Sequence, residues 1–317
     1  MVRIMSWLLV LLGLMTVPGF AQTPRPITLI VPFAAGGATD AIARLVGEHM
    51  GRSLGQAVVV ENVAGAGGTI GSERVANSAP DGQMILINQL ALLAAPSLIP
   101  NLRFDTRTAF APVGLINTGP TILSARRGLA EPIAWLRASG ERANIGHGGL
   151  GTSGHLCALQ VAQALGIRPT LVVYRGGGPA MNDLVAGSID FTCDQSTNAI
   201  PQIVAGTIQG VVVTSPARLP SIPDVTTAAE AGLTGVTLAV WHGLYVARGT
   251  PAPVIARLNA ALRAAVSDPA ILARFEQLGT TPFPLSEQTP EHHADLFATE
   301  MERISRLLSA AGIRPGD

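Results

Sequence analysis

The nine residues Pro32-Phe33-Ala34-Ala35-Gly36-Gly37-Ala38-Thr39-Asp40 carry the clearest chemical signal in this sequence. They follow the short apolar run 27–31 and precede Ile42, Leu45, Val46 and Met50 at helical spacing. A strand that empties into a glycine-rich loop and then a helix aims unpaired backbone N–H groups, and the positive end of the helix dipole, at an anion. Glycine permits the close approach because it has no Cβ. Thr39 is placed to cap the helix and Asp40 to complement its dipole. Residues 143–155 echo the arrangement, with Gly146, Gly148, Gly149 and Gly151 in the loop and Ser153-Gly154-His155 leading into a second helix. Two such loops facing each other would pinch a small anion between domains, where ligand sites preferentially lie.

Rival chemistries fit the residues less well. Gly146-x-Gly148-x-x-Gly151 matches a dinucleotide fingerprint, but Tyr174-Arg175 stands where the acidic ribose partner belongs. Every basic residue is Arg, which removes a phosphate-loop lysine and a Schiff-base lysine. Ser153 and His155 are close enough to suggest an exported hydrolase, yet the spacing Gly151-Thr152-Ser153-Gly154 is not a nucleophile elbow. Ser153 is better suited to donate a hydrogen bond to a ligand or to cap the helix. The six histidines show no metal-ligand spacing, and His292-His293 falls on an expected surface helix. Neither a metal nor a cofactor is expected.

The elements that must position these loops are short strands alternating with helical patterns, which argues for α/β architecture with parallel sheets. Expected strands are 27–31, 57–61, 84–88, 113–116, 121–124, 143–145, 171–174, 189–192, 210–213 and 237–240; from 253 onward the chain becomes helical. Cys157 then falls at the start of a helix and Cys193 at the end of a strand, on the same edge of a parallel sheet. A disulfide there is feasible beside the cleft, with two free thiols as the alternative. Asp194-Gln195-Ser196 either line the site or serve as turn residues.

Hydrophobic residues make up 48% of the chain and charged ones only 13%, so large cores can form, and the length suggests two domains. The 21 basic and 21 acidic residues give zero formal net charge, which argues against nucleic acid or an anionic membrane as partner. Arg3, the apolar stretch 5–15 and the small residues Gly19 and Ala21 describe an export leader cleaved after Ala21. No cysteine stands at that position to take a lipid.

A series of motifs then runs in order along the whole chain beyond the leader. It includes Pro32-Phe33-x-x-Gly36-Gly37-x-x-Asp40-x-x-Ala43-Arg44, Val60-Glu61-Asn62-x-x-Gly65-Ala66-Gly67-Gly68, Pro80-Asp81-Gly82 and Gly151-Thr152-Ser153-x-His155. It continues with Tyr174-Arg175-Gly176-x-x-Pro179-Ala180-x-x-Asp183-Leu184, Gly187-x-x-Asp190, Glu230-Ala231-Gly232, Trp241-x-Gly243 and Gly249-Thr250-Pro251. In these the chain resembles the substrate-binding proteins of tripartite tricarboxylate transporters, also called Bug receptors. The resemblance implies an α/β, two-lobed periplasmic binding protein fold of type II (Venus flytrap), each lobe a mainly parallel sheet flanked by helices. Residues 22–123 with 241–317 would form one lobe and 124–240 the other, hinged near Ser124 and Val240.

It also implies a monomeric periplasmic receptor that binds a small carboxylate and delivers it to membrane transporter subunits; a sensor-only receptor is the alternative. The ligand would meet Phe33, Gly37, Ala38, Thr39 and Asp40 on one lobe and Ser153, His155 and Asp194 on the other. Asp40, itself an acid, either orients its loop or selects an amino or amide group.

Overall fold

The computed structural model describes residues 25–313, so the expected leader lies outside the described residues. The first strand, β1 (Ile27–Val31), is nearly all apolar and buried, which fits a central parallel strand covered on both faces. It pairs in parallel with β2 (Val58–Asn62) and β3 (Met84–Asn88). Helix α1 (Ala38–Leu54) packs Ile42, Ala43, Val46 and Met50 into the core and ends on Gly55, whose φ of 62° closes the helix in the left-handed region. Short helices α2 (Thr69–Ala76) and α3 (Leu90–Leu98) complete the crossovers.

The second half repeats the logic. It holds α4 (Pro132–Ser139), β5 (Asn144–His147), α5 (Ser153–Leu165), β6 (Thr170–Val173), α6 (Gly177–Ala186), β7 (Phe191–Gln195), α7 (Ser196–Val204) and β8 (Ile208–Val213). Strand β5 is parallel to both β6 and β7.

One antiparallel strand joins the halves. Strand β4 (Phe110–Arg126) pairs over residues 110–120 with β10 (Ala239–Ala247) and over 121–126 with β7 and β8. The sequence suggests two separate strands here, 113–116 and 121–124. They form one strand instead. Gly119 leaves room for Thr280 to pack against the backbone, since a Cβ there would lie 3.0 Å from Thr280 Oγ1. The main path of the sheet runs β2-β1-β3-β10-β4-β7-β5-β6, so one strand is shared by both halves.

Helices α8 (Ala252–Val266), α9 (Pro269–Gln277) and α10 (Pro290–Ala310) close the chain. Helix α10 corrects one expectation: His293 is fully buried, not on a surface face. It sits over Gly243, where even a Cβ would collide with the imidazole. The stripe of apolar residues on α10 turns His293 inward with Met301, Ile304 and Leu308.

Cys157 on α5 and Cys193 on β7 form a disulfide, with their Cα atoms 5.9 Å apart. The bridge spans 36 residues, for which loop-closure entropy predicts a stabilisation of about 3–4 kcal/mol. Reduction is therefore expected to lower the melting temperature by several degrees, and Cys157→Ser with Cys193→Ser to do the same without reductant. Thiol titration of unfolded, unreduced protein checks the premise; two reactive thiols would refute it.

Candidate functional site

A small cavity of about 20 Å³ lies between the halves, lined by Phe33, Gly37, Ala38, Thr39 and Asp40 from one side and Ser153, Gly177 and Asp194 from the other. Five helices begin at its wall. Gly37 precedes α1, Gln89 precedes α3, Thr152 precedes α5, Gly176 precedes α6 and Gln195 precedes α7. Each helix start carries unpaired N–H donors and about half a positive charge. No Arg or His side chain lines the cavity. Its N–H donors share the wall with the carboxylates of Asp40 and Asp194.

The first loop is held by its acid. Asp40 Oδ2 accepts from Gly36 N and Arg44 Nε, both at 3.0 Å, while Oδ1 accepts from Asn62 Nδ2 at 2.9 Å. Burial opposes ionisation of Asp40 most strongly, yet the bonds from Arg44, Gly36 and Asn62 together hold its carboxyl below the ordinary value. Both oxygens are thus engaged within the loop, which favours an orienting role over ligand selection. Thr39 is not the cap that the sequence suggests. Gly37 occupies the cap position with extended backbone, and Thr39 lies inside the first turn.

Thr39 instead begins a buried chain of hydrogen bonds. Its hydroxyl lies 3.2 Å from His242 Nε2, and His242 Nδ1 lies 3.0 Å from Asn117 Oδ1. The amide oxygen can only accept, so Nδ1 carries the proton and Nε2 accepts from Thr39. Asn117 Nδ2 donates to Thr280 Oγ1 at 2.7 Å, and Thr280 donates to the Thr118 carbonyl. Burial lowers the His242 pKa to about 3, so the ring is neutral. The chain ties the first loop to β10 and to β4, the strand that joins the halves.

On the opposite side, Thr152 caps α5 by accepting from His155 N at 3.3 Å, a role the sequence offered to Ser153. Ser153 lines the cavity, and its N–H donates to Gln89 Oε1 across the cleft at 3.3 Å. His155 stands apart. It does not line the cavity: its Nδ1 accepts from Gly151 N at 3.2 Å and its ring stacks on His147 at 4.7 Å. Burial, with His147 adding a smaller effect, lowers its pKa to about 3. Among the described residues no hydrogen bond joins Ser153 to His155, so the pair is not assembled as nucleophile and base.

Asp194 is buried at the start of α7, with Oδ1 accepting from Gln195 N at 2.8 Å and Oδ2 from Asn198 Nδ2 at 2.5 Å. Burial outweighs those two bonds and raises its pKa to about 6. Gly177 packs directly on this carboxylate; a Cβ there would lie 2.6 Å from Oδ2. Sequence reasoning missed Gln89 and Gly177 as wall residues. Gln89 had only a weak signal, a polar residue closing an apolar strand.

The halves touch through backbone. Ala34 N donates to the Arg175 carbonyl at 2.8 Å. A Cβ on Gly178 would lie 2.7 Å from the Ala35 carbonyl oxygen, and one on Gly67 2.7 Å from the Leu150 carbonyl oxygen. Beyond Phe33 a wider pocket of about 460 Å³ opens outward, lined by Gly67, Leu150, Tyr174 and Arg175.

Asp194 makes a pH prediction. A pKa raised from 3.8 to about 6 means the folded protein binds more protons than the unfolded chain across that window. Its contribution is full below about pH 4 and lost as pH rises through about 6, a difference of order 2–3 kcal/mol. Stability curves of wild type and Asp194→Asn, measured from pH 4 to 7, should diverge across that window, the variant lacking this downward trend. Parallel curves would show that Asp194 keeps its ordinary pKa.

The comparisons with known proteins agree with this geometry. The family model described as tripartite tricarboxylate transporter family receptor matches residues 42–313. An Agrobacterium vitis protein from the TAR-I ttuE-ttuC' intergenic region is 40% identical over 292 residues, covering 90% of this chain and 84% of that protein. Among solved structures, the periplasmic binding protein BugD is 36% identical with a TM-score of 0.88, covering 92% of this chain and 99% of that one. MatC from Rhodopseudomonas palustris, solved with bound malate, is 36% identical with a TM-score of 0.85, covering 90% and 99%. The fold is that of a two-lobed periplasmic binding protein, whose relatives hold solutes rather than transform them. The chain belongs to the tripartite tricarboxylate transporter receptor family and is a solute receptor, not an enzyme.

Proposed function

We propose that the cleft binds a small dicarboxylate of about malate's size and that the protein passes it to the membrane subunits of a tripartite transporter. The observation that carries this reading is the convergence of five helix N-termini on a cavity with no side-chain cation. Such a wall suits a carboxylate, whose oxygens accept several N–H bonds at once, each worth about 1.5–3 kcal/mol. The malate held by a relative of 36% identity supports the choice.

In this reading Phe33, Gly37, Ala38 and Thr39 supply the first jaw and Ser153, Gly177 and Asp194 the second. Asp40 and His155 stiffen their loops from behind. Residues 22–123 with 241–317 form one lobe and 124–240 the other, a division supported by the change of partners along β4 between residues 120 and 121. The cavity is little larger than a water molecule needs, so a dicarboxylate enters only when the lobes part. Closure then trades open-state hydration for contacts made across the cleft, and the transporter reads the closed form. The protein works as a monomer in the periplasm.

Calorimetric titration of the protein with malate tests this. Malate is expected to bind, and a neutral sugar of similar size is not. The reverse outcome would overturn the carboxylate assignment. Gly178→Ala adds a methyl against the Ala35 carbonyl only when the lobes meet, so it should weaken malate by about tenfold or more while leaving the melting temperature of the free protein nearly unchanged.

A further inference from the structure

Building on the dicarboxylate reading of the cleft, we propose that the receptor takes up one proton together with its ligand and that Asp194 receives it.

Position singles out Asp194. It stands next to Gln195, the cap residue of α7, and its Oδ1 accepts from Gln195 N at 2.8 Å. Gly177, the first residue of α6, packs on the same carboxylate, since a Cβ there would lie 2.6 Å from Oδ2. The acid therefore sits between two of the five helix starts that face the cavity. Its charge draws on the same dipoles that must hold the ligand.

Charge makes the two carboxylates rivals. Asp194, Gly177 and Ser153 all line a cavity of about 20 Å³, so a ligand carboxylate gripped by the closed lobes lies close to the acid. Among the described residues no Arg or His side chain lines that wall to neutralise either. Like charges in one buried site disfavour each other's ionisation, and the proton settles on the group with weaker support. Asp194 has only Gln195 N and Asn198 Nδ2, whereas the ligand meets several helix starts. Once neutral, Asp194 leaves the ends of α6 and α7 to the ligand. Asp40, the other acid in the wall, is held ionised despite its burial by Arg44, Gly36 N and Asn62.

The elements packed around Asp194 supply no other charge to match it. Burial keeps His147 on β5 and His155 on α5 neutral, with pKa values of about 4 and 3. Asp183 on α6 accepts from Tyr174 Oη at 2.6 Å, and Arg126 on β4 is paired with Asp190. Helix α7 has no titratable side chain. Burial alone already raises the Asp194 pKa to about 6, so the free receptor starts within reach of the protonated form.

Calorimetric titration with malate, in two buffers of different ionisation enthalpy, counts the protons. About one proton per malate should be taken from the buffer at pH 7.5. A carboxyl with a pKa of about 6 is half protonated at pH 6 and about one per cent protonated at pH 8, so affinity should fall about fifty-fold between them. Malate stays a dianion over that range, so the trend belongs to the protein. Asp194→Asn, neutral throughout, should bind malate with no proton uptake and with one affinity from pH 6 to 8. The proposal is overturned if wild type binds malate equally well at pH 6 and 8 without proton uptake, a result that needs no variant. It is also overturned if Asp194→Asn keeps the wild-type pH dependence. Malate failing to bind at any pH would overturn the dicarboxylate reading itself, and this proposal with it.

Discussion

The structure depends on gathering helix N-termini around one small space. Without a cation in the wall, positive potential must come from backbone dipoles, and these fall off within about one turn. Five helix starts must therefore lie within a few ångströms of the same point. A parallel α/β half achieves this locally, because every strand delivers its carboxyl end, and the helix after it, to the same edge. Two halves must then present those edges to each other. The antiparallel strand β4 does so, since it pairs with β10 in one half and with β7 and β8 in the other and lets each keep its own parallel set. Glycines at 67, 176 and 178 follow from the same demand, because side chains there would hold the two backbone surfaces apart.

A site built from dipoles is easily spoiled by nearby charge. Two carboxylates lie at this wall, and the fold treats them differently. Asp40 is ionised but matched by Arg44, by Gly36 N of its own loop and by Asn62 at the end of β2, so its charge is spent locally. Asp194 has only two neutral donors and is fully buried, which raises its pKa to about 6. The nearby imidazoles of His147, His155 and His242 are held neutral by burial, with pKa values of about 4, 3 and 3. At neutral pH Asp194, with a pKa of about 6, still carries its negative charge, so the helix ends must offset it as well as attract a ligand.

Much of this was legible in the sequence, for a physical reason. Strand, glycine loop and helix are encoded within about a dozen neighbouring residues, so the two loops whose residues line the cavity could be found at 32–40 and 146–155. Cys157 and Cys193 paired as the parallel-edge argument allowed. What was missed depends on contacts distant in sequence. Thr39 looked like a cap, but its hydroxyl is claimed by His242, 203 positions away. His155 looked like a ligand donor, but Gly151 and His147 hold it back from the cavity. Residues 113–116 and 121–124 looked like two strands because nothing local shows that β10 and Thr280 are waiting to pair and pack between them. His293 looked exposed because only the absence of a side chain at Gly243 makes room for it.

Among the described residues few hydrogen bonds join the lobes away from the shared strand: Ala34 to Arg175, Ser153 to Gln89 and Ser196 to Gly279. At about 0.5–1.5 kcal/mol each, they would favour closure by only about 1.5–4.5 kcal/mol before any cost of ordering the loops. That is small enough for a ligand to decide the balance, since moving a two-state protein from mostly open to mostly closed requires about 5.5 kcal/mol of differential binding. A dicarboxylate touching both jaws could supply that from two or three charge-assisted bonds made only in the closed form. The buried chain from Thr39 through His242 and Asn117 to Thr280 then has a clear use. It fixes the first jaw to the joining strand, so that ligand contacts are spent on moving the second jaw rather than on ordering the first.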